Sequence, residues 1–203
     1  IVQHGLAALS EGPNHSGLLA LLEATGLVGR AITAMDVGWK IGPRINAAGR
    51  LDDAMLIIEL LRSRDAEQIR RLIERVENLN TARKKLQDRL IDKALDGISI
   101  DALPPFVLVA GQESDGWHRG VVGIVAGRLR DQLQRPTAVV AISGEEARGS
   151  VRCGPSFNAV GALDDASDLL IQPRGHRQPA GLPVATTPLA LLLARPLPHA
   201  QNA

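Results

Sequence analysis

Aromatic side chains are nearly missing from this chain: its 203 residues include two Trp, two Phe and no Tyr. The core must therefore be built from Leu, Ile, Val and Ala, and a hydrophobic fraction of 45% is enough for one large domain or two small ones. The same shortage removes most platforms on which unpaired bases stack, so any grip on nucleic acid has to rest on phosphates. Cysteine is scarce too. Cys153 stands alone, which excludes an internal disulfide and fits a reducing, cytoplasmic compartment. No apolar run approaches the ~18 residues of a membrane span, and the opening residues lack the pattern of a signal peptide, so no membrane partner is expected. An excess of one charge is also missing: 23 Lys and Arg against 22 Asp and Glu leave a formal charge of +1, which does not announce a nucleic-acid partner. The distribution says more. Between Arg62 and Lys93 ten basic residues stand against six acidic ones. The chain opens on Ile1 in sequence of helical character and reads as a fragment with sequence missing upstream.

The pattern along the chain is helical first and α/β afterwards. Residues 1–62 read as short helices with Gly-rich joints. Ser16 is placed to cap a helix running to about Thr25. Trp39 to Arg50 reads as a loop rich in glycine and charge, and Leu51 to Leu61 as an apolar helix. Asp65 and Gln68 have the spacing of a capping box at the head of the longest helix. There Ile69, Leu72, Ile73, Val76, Leu79, Leu86 and Leu90 recur at helical spacing, and Gly97 supplies a stop. At the standard rise this helix spans roughly 45 Å, more than a compact domain needs, so it is expected to connect two domains. Arg83 and Asn80 lie on or beside its apolar stripe. Either they are a snorkelling Arg and a solvated Asn, or they are a pair that holds the helix against a polar partner or nucleic acid.

After Pro104-Pro105 the periodicity changes. Phe106 to Ala110 reads as a buried strand, Gly111 to Arg119 as a loop, Gly120 to Gln134 as a helix and Thr137 to Ser143 as a second strand. Together these make a βαβ unit with a parallel strand pair. Ala147 to Cys153 is expected to be a third, antiparallel strand. A further helix is expected from Ser156 or Asn158 to about Ile171, and from Gln172 the Pro-rich sequence gives no clear pattern.

Three segments collect side chains suited to anions. Asp115-Gly116-Trp117-His118-Arg119-Gly120 lies between a strand end and a helix start, where unpaired amides and the helix dipole favour negative charge. The bland alternative makes Trp117 a core plug with solvated polar neighbours. In Gly149-Ser150-Val151-Arg152, strand alternation puts Ser150 and Arg152 on one face and Val151 on the other. A hydroxyl beside a guanidinium suits a phosphate, although an ordinary polar sheet face has the same pattern. Gly42-Pro43-Arg44-Ile45-Asn46-Ala47-Ala48-Gly49-Arg50 sets two Arg and an Asn among small residues that let a partner approach. The alternative is a structural joint with its Arg residues in ion pairs. Catalytic constellations fail. The histidines at 4, 15, 118, 176 and 199 lack zinc-like spacing, and Asp52-Asp53 and Asp164-Asp165 sit at helix edges, where acids are common. No Ser-His-Asp set, phosphate-binding P-loop or EF-hand loop is present.

Taken together, five motifs resemble the RecJ branch of the DHH phosphoesterases, in that family's order and over about residues 1–181. They are Pro43 to Arg50 (PRINAAGR), Leu79-Asn80-Thr81-Ala82-Arg83, Trp117 to Ala126 (WHRGVVGIVA), Gly149-Ser150-Val151-Arg152, and Gly175-His176 followed by Ala180-Gly181. The resemblance implies an α/β protein in parts: the helical end of a DHH catalytic domain over 1–62, a connecting helix over 63–97, a DHH-associated substrate-binding domain over 98–181 and an irregular tail over 182–203. The second domain would be a small mixed-sheet α/β unit containing the βαβ element. The implied activity of the parent is 5′→3′ exonuclease cleavage of single-stranded DNA in repair and recombination, with two divalent ions, manganese or magnesium, activating water.

The implied partners are single-stranded DNA, an upstream DHH domain and a single-strand-binding protein. The family's metal-ligand motifs are not matched here, so the fragment is expected to bind no metal and to be inactive alone. By motif, Ser150 and Arg152 resemble 5′-phosphate binders. Arg44, Asn46 and Arg50 resemble residues lining the channel near the scissile phosphate. His118, Gly175 and His176 resemble the second domain's DNA face, and Arg83 would fix the helix or touch the strand. Arg174 and Pro179 depart from the end motif; proline removes an amide donor there. Two other implications stay open: a DHH phosphodiesterase acting on short oligonucleotides or cyclic dinucleotides, and a non-catalytic nucleic-acid-binding module.

Overall fold

A computed structural model describes residues 1–155 and 157, together with the strand backbones at 174–175 and 179–185. The chain divides into two compact units, Ile1–Lys85 and Leu86–Ala203, with the boundary inside one long helix.

The first unit is helical: α1 (Val2–Glu11), α2 (Ser16–Ala24), α3 (Ala34–Asp36), a π-helical turn (Val37–Ile41), α4 (Gly42–Leu51), α5 (Met55–Arg62) and the first part of α6 (Ala66–Asp96). Two aliphatic clusters hold it. Leu21, Leu22, Leu27, Ile32 and Ile41 form one, and Ala48, Leu56, Ile57, Leu60, Ile69, Leu72 and Val76 form the other; Ile73 packs against both. Where α2 meets α5 the backbones touch. A Cβ on Gly17 would lie 1.8 Å from the Leu60 carbonyl oxygen, so this helix contact requires glycine.

Asp36 closes the loop before the π-turn. Its carboxylate accepts the Thr33 amide (3.1 Å) and hydroxyl (2.8 Å), while Thr33 Oγ1 accepts the Asp36 amide at 3.2 Å, completing a capping box. Lys40 Nζ at 3.0 Å and Arg30 Nη2 at 3.5 Å add positive charge. The Thr33 hydroxyl first, then Lys40, hold this carboxyl far below the usual range.

The structure departs from four local expectations, the first being the helix over Leu51 to Leu61: α4 ends at Leu51 and α5 begins only at Met55. Ser16 is the first helical residue of α2, with His15 in the cap position and no side-chain cap. Trp39 to Arg50, expected as a loop, is helical throughout. Pro43 falls in the first turn of α4, where its missing N–H costs nothing, and burial of Ala47 and Ala48 outweighs the poor propensity of Gly42 and Gly49. The capping box expected at Asp65 and Gln68 is half formed. Asp65 Oδ1 accepts the Gln68 amide at 2.7 Å, but the Gln68 side chain accepts from Ser63 Oγ at 2.6 Å.

Helix α6 has 31 residues, the length its periodicity predicts. Its buried face is aliphatic at Ile69, Leu72 and Val76, polar at Asn80, Arg83 and Gln87, and aliphatic again at Leu90, Ile91 and Ala94.

The second unit is a mixed α/β sheet: β1 (Val107–Gln112), α7 (Val122–Leu133), β2 (Thr137–Ser143), β3 (Glu146–Arg152), β4 (Arg174–Gly175) and β5 (Pro179–Ala185). Among the described residues the strand order is β1-β2-β3-β5-β4. β1 and β2 are parallel, and the remaining pairs are antiparallel. Val121, Val125, Leu129, Val139 and Val140 fill the core with α7 against the sheet. Gln134 ends α7 in the left-handed region at φ 52°, and Arg135-Pro136 prevents its extension. Strand β5 takes in Leu182–Ala185, the first residues of the tail read as irregular. The helix expected between residues 156 and 171 lies outside the described residues apart from Phe157. No helix among the described residues is long and apolar enough to cross a membrane.

Candidate nucleic-acid interface

Strand β3 presents its two faces as its alternation requires. Ala147 and Val151 are buried, while Ser150 and Arg152 lie on the other face. Arg152 Nη1 donates to Ser150 Oγ at 2.5 Å and to the Val151 carbonyl at 2.8 Å. Gly123, in the first turn of α7, backs this pair: a Cβ there would lie 3.1 Å from Arg152 Nη2 and 3.3 Å from Ser150 Oγ. Sequence reasoning places Gly123 in a motif but gives it no role. Its effect depends on a strand more than twenty residues away, which no local signal reveals. At the start of α7 the amides of Val122 and Ile124 already donate to the carbonyls of His118 and Val121, at 3.3 and 2.9 Å, so the helix end contributes its dipole, which adds to the potential of the guanidinium. The cluster is suited to a phosphate group.

The backbone register continues across the sheet. Ser150 pairs with Gly181 on β5, and Gly181 with Arg174 on β4; Gly175 pairs with Ala180. His176 lies outside the described residues.

The loop after β1 is anchored by Trp117, which is buried and fills the space over Gly111, where a Cβ would fall 2.1 Å from the indole ring. Trp117 is thus a core plug. The next residue, His118, is half-buried, and its Nδ1 accepts the Gly120 amide at 3.0 Å. A neutral imidazole in that arrangement carries its proton on Nε2. Arg119 is exposed, and its amide donates to Glu113 Oε1 at 3.3 Å.

In the first unit, Asn46 and Arg50 are exposed and four residues apart on α4, hence on one helix face. Arg44 turns elsewhere. Its Nε and Nη2 bind the two oxygens of Glu77 on α6, the latter at 3.1 Å, and its Nη1 donates to the Lys40 carbonyl at 2.8 Å. Glu77 therefore joins α4 to α6, a role that sequence reasoning misses. Arg83 and Asn80 are both buried, and Arg83 Nη2 donates to Asn80 Oδ1 at 3.1 Å. They form a pair and are not solvated. Asp52 is held by Arg75 at 2.6 Å; that guanidinium lowers its carboxyl pKa.

Among the described residues no group of three or more His, Cys, Asp or Glu is placed to hold a metal ion. The divalent ions implied by the resemblance have no ligand set among the described residues.

Residues 105–187 match the DHHA1 domain family, and the mixed sheet with its Ser–Arg pair is a DHHA1 domain. The chain as a whole is RecJ-like. It is 34% identical over 172 residues to the single-stranded-DNA-specific exonuclease RecJ of Bacillus subtilis, covering 83% of this chain and 22% of that protein. It is 35% identical over 181 residues to the enzyme of the same name from Thermus thermophilus, covering 89% of this chain and 25% of that one. The crystal structure of Thermus thermophilus RecJ in complex with Mn2+ superimposes with a TM-score of 0.86 at 33% identity, over 100% of this chain and 29% of that chain. The chain spans about a quarter of the length of these two curated relatives.

Proposed function

We propose that this chain is the strand-gripping part of a metal-dependent exonuclease that degrades single-stranded DNA from its 5′ end in repair and recombination. The observation that carries the reading is the Ser150–Arg152 pair with Gly123 against it. The Ser150 hydroxyl rotates to donate to a phosphate oxygen, and Arg152 supplies charge-assisted donors alongside it. A terminal phosphate monoester carries more negative charge than an internal diester, so a cationic cluster backed by a helix start favours the 5′-phosphorylated end.

Asn46 and Arg50 would contact the sugar-phosphate chain from the exposed face of α4, with Arg44 keeping that helix in place through Glu77. His118 would donate from Nε2, Gly175 and His176 would complete the DHHA1 face, and Arg83 with Asn80 would fix α6. The proposed partners are single-stranded DNA, a DHH catalytic domain that supplies ligands for two manganese or magnesium ions, and a single-strand-binding protein.

The test compares 5′-phosphorylated and 5′-hydroxyl strands in a binding titration. Charge-assisted hydrogen bonds contribute about 1.5–3 kcal/mol. Arg152→Ala is therefore expected to weaken the phosphorylated strand by about tenfold or more, with a much smaller effect on the hydroxyl strand. Equal losses on both would remove Arg152 from this role.

A further inference from the structure

We infer that Arg89, on the second part of α6, is a further phosphate contact, one that grips an internal phosphodiester of the bound strand. The inference rests on the proposed single-strand reading but assigns a residue that none of the five motifs contains.

Five arginines lie on α6, and four have a named partner. Arg70 and Arg71 bind Glu67, Arg75 binds Asp52, and Arg83 donates to Asn80. Arg89 differs. It is exposed and has neither a hydrogen bond nor an ion pair within 4.0 Å among the described residues. Its guanidinium nevertheless has a defined place. Nη2 lies 2.5 Å and Cζ 3.4 Å from the point where a Cβ on Gly116 would stand. Gly116 has φ +91°, so the turn itself calls for glycine, and the bare α-carbon provides the surface on which the guanidinium rests.

That turn is the loop at the carboxyl end of β1, in the parallel part of the sheet, where open α/β sheets receive ligands. Two residues beyond Gly116 is His118, with Nδ1 occupied by the Gly120 amide and Nε2 left as the donor. Glu113 and Asp115 lie in the same turn, yet neither approaches Arg89 to ion-pair distance, and Glu113 accepts the Arg119 amide instead. A cation outside ion-pair distance of any carboxylate among the described residues, resting on the turn that leads into His118, fits a group with a single negative charge and two free oxygens, which describes a phosphodiester. It does not need the extra charge of a terminal monoester.

The geometry separates Arg89 from Arg152 experimentally. Affinity of the full chain for a 3′-labelled oligothymidylate, with and without a 5′-phosphate, would be measured across a salt series. The variants are Arg89→Gln, which keeps much of the stem but removes the charge, and Arg89→Lys, which restores the charge. Each phosphate contact on a single strand contributes about 0.7 to the slope of log affinity against log salt. Arg89→Gln is expected to lower affinity about three- to tenfold for both strands, leave their ratio unchanged and reduce the slope by about 0.7, with Lys recovering the slope. A brace for the loop would lower thermal stability without moving the slope. An unchanged slope in the Gln variant overturns the inference, as does a loss confined to the 5′-phosphorylated strand. If Arg152→Ala shows its 5′-phosphate effect while Arg89→Gln does nothing, this inference alone fails. If the unmodified chain binds neither strand, the functional reading fails with it.

Discussion

Both units hold arginines at positions that the sequence marks for nucleic acid, and they hold them by different acceptors. In the helical unit, Arg44 faces a carboxylate and gives Glu77 both Nε and Nη2. In the DHHA1 unit, Arg152 donates to a hydroxyl and to a backbone carbonyl. A guanidinium matched to a carboxylate is locally neutral and has little to offer an anion. A guanidinium set beside a hydroxyl offers, with it, donors of the kind a phosphate takes. In the proposed reading, the contrast separates an arginine that joins two helices of the fold from one that contacts a ligand, although both lie in motifs of similar appearance.

The strongest way to stress this comparison is to loosen each unit in turn. A Cβ on Gly17 meets backbone that cannot swing away, whereas one on Gly111 meets the Trp117 side chain. Gly17→Ala is expected to destabilise the first unit by about 3 kcal/mol and Gly111→Ala the second by about 2 kcal/mol. Trp117 is buried in the second unit, so in a Trp39→Phe background its fluorescence follows that unit in a denaturant melt, while hydrogen-exchange protection of the α2 and α5 amides follows the first. The comparison breaks if either glycine variant shifts both reporters equally.

A smaller effect sharpens the arginine contrast itself. Arg44→Ala is expected to cost about 1 kcal/mol, since Glu77 is partly exposed and its charge is screened once the partner is gone. Strand affinity should change far less than in Arg152→Ala, whose stability in turn should be near that of the parent. An Arg44→Ala variant of normal stability and poor binding would reverse the assignment.

The subtlest effect is one of pH. Asp36 has its carboxyl pKa lowered in the folded state, so its stabilising contribution is complete above the unfolded carboxyl value of about 3.9. It disappears as pH falls through the lower folded value. Asp36→Asn should therefore be less stable than the parent at neutral pH, with the gap closing in acid below about pH 4. A gap that stays constant from neutral pH into strong acid would show that Asp36 contributes through shape alone.

Local chemistry makes part of this legible from the sequence. β2 can be read to its residue limits because a β-branched run between Pro136 and Gly144 has no helical alternative, and α6 because its apolar spacing is sustained over 31 residues. The segment from Trp39 to Arg50 misleads for the opposite reason. Gly42, Pro43 and Gly49 look like breakers, and the force that makes the segment helical is burial of Ala47 and Ala48 against elements distant in sequence. In the same way, the motif marks Arg44, but its partner Glu77 is 33 residues away. Strand alternation puts Ser150 and Arg152 on one face, while the approach of Gly123 depends on how α7 crosses the sheet.

Along the buried side of α6, an amide, a guanidinium and a second amide interrupt two aliphatic stretches. An unbroken oily stripe would look much the same after the helix slid by one turn. With the interruption, such a slip would carry the buried Arg83 guanidinium toward positions that aliphatic side chains occupy, a penalty of several kcal/mol. Such a polar band would act as a key, favouring a single axial setting for each stretch of the helix within its own unit.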